Sequence, residues 1–143
     1  MLKCARVRLD NAGLTNCSVR LADIYNLPFP EGSVGAVVIH QVLHFLDNPK
    51  EALLEAVRVL QPGGRLAVAD FLPHKLEFLR DRHAHVRLCF AASEIAGWLE
   101  ECGLVSGACC ELPAAHVKEN ALTVAIWTGQ KAGTTTQRWR SAS

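Results

Sequence analysis

The sequence predicts an α/β fold in which buried parallel strands are covered by helices on both faces. Three observations predict it. An apolar stripe at helical spacing, Leu53, Ala56, Val57 and Leu60, stops at Pro62-Gly63-Gly64. Directly after that turn, Leu66 to Ala69 is apolar without alternation, the pattern of a strand shielded on both faces. A second apolar run, Val34 to Ile39, lies ahead of the helix, so a strand stands on each side of it.

Composition narrows the class. A chain of 143 residues, half of them hydrophobic, suffices for one domain with a core. The formal net charge of +1 argues against a broad nucleic-acid footprint. No apolar run approaches the roughly 18 residues of a membrane span. Met1 is followed by Lys3, Arg6 and Arg8 with no apolar stretch of a secretory signal behind them, which makes the cytoplasm the default location. Six cysteines, Cys4, Cys17, Cys89, Cys102, Cys109 and Cys110, stand in apolar or helical contexts without C-x-x-C spacing. They are expected as reduced thiols filling small core positions, since neither a disulfide framework nor a zinc site has its spacing here.

Taken in order, Met1 to Ala12 has the pattern of the end of a helix, with Gly13 behind it as a C-cap. Cys17, Val19 and Leu21 alternate with polar residues, which predicts a short strand from Cys17 to Asp23. Two prolines and a glycine make residues 24–33 a loop. The strand Val34 to Ile39 follows, and His40 to Asp47 leads to a helix with Pro49 at its first position and Asp47 or Asn48 as cap. Residues 71–90 fit a helix over the crevice, with His74, His83 and His85 among basic residues. Ser93 is expected to cap a helix that buries Ile95, Trp98, Leu99 and Cys102 and closes at Gly103. Two last strands, Val105 to Leu112 and Leu122 to Thr128, form a hairpin. The tail from Lys131 is Gly-, Thr- and Ser-rich and is expected to be disordered.

Ligands of open α/β sheets bind at the carboxyl ends of strands, so Asp23, His40 and the residues after Asp70 should face one crevice. His40 and His44, four apart, and His83 and His85, two apart, lack a third ligand at familiar spacing, and no metal is expected.

Three blocks in this order carry a family resemblance: Asp23-Ile24 with Leu27-Pro28-Phe29, then Val37 to His44, then Arg58 to Leu66. The chain resembles class I S-adenosylmethionine-dependent methyltransferases of the ubiquinone-biosynthesis type. From Glu77 to Leu104 it further resembles the methyltransferase part of fusions to ArsR-type regulators. The resemblance implies a Rossmann-like sheet with helices on both faces and a C-terminal antiparallel hairpin. It covers about residues 1–129, as a partial methyltransferase domain, with 130–143 left as the tail. The Gly-rich loop and the acidic residue that such enzymes carry on their first two strands have no counterpart here, so the domain is expected to be N-terminally incomplete. Its two absent strands would lie between the Asp23 strand and the His40 strand.

Carried over by the resemblance, Asp23 accepts a hydrogen bond from the adenine amino group and Ile24 contacts adenine. His40 lies near the methionine part of S-adenosylmethionine, and Gln41 and Leu43 belong to the same wall. By residue type alone, Asp23 also fits a turn cap and His40 a structural histidine. The implied reaction is methyl transfer from S-adenosylmethionine to a small-molecule acceptor, for which His44, His74 or His85 could serve as base by type. The competing reading is a non-catalytic fragment or partner-binding subunit of such an enzyme. The sheet edge left exposed would suit a second copy or a complementing chain.

Overall fold

A computed structural model describes residues 2–73, 90–112 and 123–133. Helix α1 (Leu2–Asn11) is followed, after a long loop, by β1 (Val34–His40), a 3-10 turn (Leu43–Phe45), α2 (Pro49–Val59) and β2 (Leu60–Phe71). Then come α3 (Ala92–Glu101), β3 (Leu104–Leu112) and β4 (Val124–Lys131). The four strands form one open sheet in the order β1-β2-β4-β3. β1 and β2 are parallel, and β4 is antiparallel to both β2 and β3, so the expected C-terminal hairpin closes the sheet.

The core lies between the sheet and helices α2 and α3. Leu53, Ala56 and Val57 of α2 and Ile95 and Leu99 of α3 pack on Ile39, Leu66, Val68, Ala125 and Trp127. Trp127 is fully buried and its indole N–H donates to Ala92 O at 2.9 Å, so the polar end of the largest core side chain is satisfied. Lys50 pairs with Glu101 across the outer ends of α2 and α3. Helices were expected on both faces; among the described residues only this face is covered. On the other, Val38 and Val105 stand about 70% exposed beside a shallow groove of about 450 Å³.

Several local expectations are corrected. Cys17 to Asp23 is not a strand: Leu21 is exposed and, among the described residues, β1 at the edge of the sheet pairs with β2 alone. Alternation marks which side chains share a face, but a strand also needs a neighbour for its backbone groups. Instead Arg20 lies over the Phe29 ring. Ser93 sits inside α3 rather than capping it; Ala91 is the N-cap and offers no side-chain bond. Gly103, at φ 84°, does end that helix in the left-handed region.

β2 begins before the Pro-Gly-Gly turn, with Leu60 opposite Val34 and a shift of register before Arg65 meets Ala36. Gly64 is dictated by that shift, since a Cβ there would stand 2.8 Å from the Gln61 carbonyl. Lys131, expected in the tail, belongs to β4, and its ammonium donates to Val57 O and Leu60 O, each at 2.8 Å. That satisfies carbonyls left over at the C-terminus of α2 and places a cation at its negative end.

The five described cysteines are free, but only Cys102 is buried. Cys4, Cys17, Cys109 and Cys110 are exposed, against the expectation of core thiols. Cys109 and Cys110 lie on β3, an edge strand whose burial does not extend past its start. Cys89, His74, His83 and His85, and residues 134–143 of the expected tail, lie outside the described residues.

Candidate functional site

The crevice forms where the two parallel strands end. His40 is opposite Ala69 in the β1–β2 ladder, and Gln41 N donates to Ala69 O at 2.7 Å, one residue beyond the strand. There the chain turns off the sheet: Gln41 has φ 51°, the one non-glycine among the described residues in the left-handed region. A residue so placed is held by its surroundings.

What holds it is Asp70. Its carboxylate is fully buried at the end of β2 and accepts from Leu43 N at 3.0 Å and Phe71 N at 2.8 Å. His44 Nδ1 lies 2.6 Å from Asp70 Oδ1, and facing a carboxylate that nitrogen is the donor. The His44 ring is 2% exposed and packs against Phe45 and Phe71, with centroids 4.1 and 5.3 Å away. One side chain thus fixes the 3-10 turn that forms one wall of the crevice.

The opposite wall is the loop 23–33. Asp23 closes a tight turn, its Oδ1 accepting from Tyr25 N at 2.9 Å and its carbonyl from Asn26 N at 3.1 Å. Between the walls lies a cavity of about 220 Å³ lined by Ile24 and Leu27 of the loop, Val37 to His40 of β1, Val42, and Ala52 and Ala56 of α2.

The structure therefore brings Ile24 and His40 to one cavity. Asp23 stands exposed just outside its lining, with no hydrogen bond to Oδ2 from the described residues. Gln41 is half-buried at the turn. Leu43 is fully buried in the core, so its side chain faces away from the crevice and only its backbone N–H takes part, toward Asp70. Sequence patterns did not reveal the Asp70 bracket. The signal was an aspartate closing an otherwise apolar strand, in a place where an unpaired carboxylate would be costly.

The comparisons with known proteins agree with this geometry. A methyltransferase domain family matches residues 1–68. An uncharacterized methyltransferase of Schizosaccharomyces pombe is 51% identical over 56 residues, 39% of this chain and 20% of that protein. A ubiquinone/menaquinone biosynthesis C-methyltransferase of Pseudomonas fluorescens is 40% identical over 72 residues, 50% of this chain and 28% of its own length. In fold, a geranyl diphosphate methyltransferase solved with S-adenosylmethionine superimposes with a TM-score of 0.73 at 13% identity, covering 92% of this chain and 64% of that one. Over residues 1–68 the chain is similar to methyltransferase domains, and its fold is that of S-adenosylmethionine-dependent methyltransferases. It spans well under half the length of the two curated relatives. No helix among the described residues is long and apolar enough to cross a membrane.

The cavity is of a kind that could hold a flat, largely apolar ring. Its aliphatic walls offer van der Waals contact to a purine face, and the open Asp23 Oδ2 at its margin is an acceptor suited to an exocyclic amine.

Proposed function

We propose that this chain carries the nucleoside half of an S-adenosylmethionine site and serves methyl transfer to a small-molecule acceptor. The observation that carries the reading is the meeting of Ile24 and His40, from separate segments, at one apolar cavity at the carboxyl end of β1. In this reading Ile24 and Leu27 hold the adenine ring and Asp23 Oδ2 accepts from its amino group. His40 and Gln41 extend the site toward the methionine part.

When bound, S-adenosylmethionine supplies a methyl group on a sulfonium that is already a good leaving group. The residues of this chain then act by placement, since alignment alone accounts for much of the acceleration in such displacements. His44 serves as a strut: its Nδ1 is committed to Asp70 and its ring is buried under Phe45 and Phe71. Small-molecule acceptors are favoured by the quinone C-methyltransferase relative. The outer edge of β1, unpaired among the described strands, is where a second copy or a complementing chain would add.

Calorimetric titration of the folded chain with S-adenosylmethionine tests the reading. Saturable binding, weakened about tenfold by Asp23→Ala, is the expected result, the equivalent of one hydrogen bond to a charged group. Failure of the folded chain to bind would overturn it.

A further inference from the structure

Glu55 and Arg58, one turn apart on α2, both reach out of the helix to the backbone of the loop 23–33. Glu55 Oε1 accepts from Leu27 N at 2.7 Å and from Arg58 Nη2 at 2.8 Å, and its Oε2 accepts from Arg58 Nε at 2.7 Å. The guanidinium donates onward from Nη2 to Phe29 O at 3.0 Å and to Leu27 O at 3.3 Å. At the end of the helix the main chain does the same: Gly32 N donates to Arg58 O and Ser33 N to Val59 O.

The loop needs this. Pro28 and Pro30 have no N–H, so residues 27–30 cannot form a ladder of their own. The pair supplies partners for Leu27 N–H and the Phe29 carbonyl, and a second donor to the Leu27 carbonyl, which also accepts from Phe29 N at 2.8 Å. Charge strengthens the arrangement: the Arg58 guanidinium holds the Glu55 carboxyl below its ordinary range, and Glu55 raises Arg58 in turn.

The position of the pair gives the contact a functional meaning. Ala52 and Ala56, which flank Glu55 on α2, line the cavity that Leu27 closes from the loop side. One helix thus supplies part of the cavity lining and, through Glu55, the hook for the residue opposite. We infer that Glu55 and Arg58 are positioning residues that set the width of the adenine slot by fixing Leu27, and with it Ile24 and Asp23, against α2. This rests on the cofactor reading above.

The experiment combines two readouts on the full chain. Amide hydrogen exchange is followed at Tyr25, Asn26, Leu27 and Phe29 and, as an internal control of folding, at Val68 and Trp127. Affinity is measured for S-adenosylhomocysteine and for its hypoxanthine analogue, in which the adenine amino group is replaced by oxygen. Glu55→Ala should speed exchange at Leu27 and its neighbours about tenfold while the sheet stays protected, and should erase most of the preference for adenine. Arg58→Lys, which keeps the charge but loses the fork, should act in the same direction, and Glu55→Gln should fall between. Variants that bind with the preference intact, or that loosen loop and sheet together, would overturn the positioning role. A wild-type chain that binds neither ligand would instead overturn the cofactor reading on which it rests.

Discussion

Two carboxylates brace the two walls of one crevice, and they do so in opposite surroundings. Asp70 is fully buried and holds the turn after β1 through Leu43 N–H and the His44 imidazole, while Phe71 N–H of its own strand also donates to it. Glu55, its side chain 12% exposed, and Arg58, 36% exposed, hold the loop 23–33 from the protein surface. Removing Asp70 would strand donors where water cannot replace it, whereas the loop of Glu55 would be rehydrated. The inner bracket therefore belongs to the stability of the fold and the outer one to the precision of the site.

The largest effect should come from Asp70→Ala, which removes the acceptor shared by Leu43 N, Phe71 N and His44 Nδ1. We expect a loss of about 3–5 kcal/mol in urea unfolding, if the variant folds at all. His44→Ala should cost about 1–3 kcal/mol, and the double variant less than the sum, because the two share one interaction. Additive losses would show that the pair is not a unit.

The outer bracket should behave differently. Glu55→Ala should lower the melting temperature by about 3 °C or less, because its partners lie near solvent and can be rehydrated, while loosening the loop. If it unfolded the chain as Asp70→Ala does, the division between the two brackets would fail. Acid gives a gentler test. Because the Glu55 carboxyl is held below its ordinary value of 4.5, its contribution is complete above that pH and is lost as pH falls through the lower folded value. Protection of the loop amides, corrected for the intrinsic pH dependence of exchange, should fall as this carboxyl protonates and before the sheet opens. The smallest effect is that of salt: at 1 M, where screening acts over about 3 Å, the loop should loosen slightly and the sheet not at all.

Local pattern was enough for α2, α3, β1 and the hairpin, because each announces itself by period and punctuation. It failed where a partner decides the outcome. Cys17 to Asp23 alternates as a strand should, yet among the described residues no strand lies beside it, and Lys131 looked like tail because its two carbonyl partners lie more than 70 residues back. The crevice was legible in the same uneven way. Asp23, Ile24 and His40 came from a matched motif, and the structure brings two of them to one cavity. The brackets were invisible because Asp70 meets His44 across 26 residues and Glu55 meets Leu27 across 28. Leu43 could not be told from a wall residue without knowing which way its turn faces.

The bond from Lys131 to the end of α2 also bears on how the chain should be handled in the laboratory. The sequence reading puts the end of the domain near residue 129, yet the amine that secures the helix carrying Glu55 and Arg58 comes two positions later. A cut or fusion joint at residue 129 would remove it. Acetylating that amine in the intact chain would have a similar consequence, so a lysine at the end of β4 has a remote hold on the cavity beside β1.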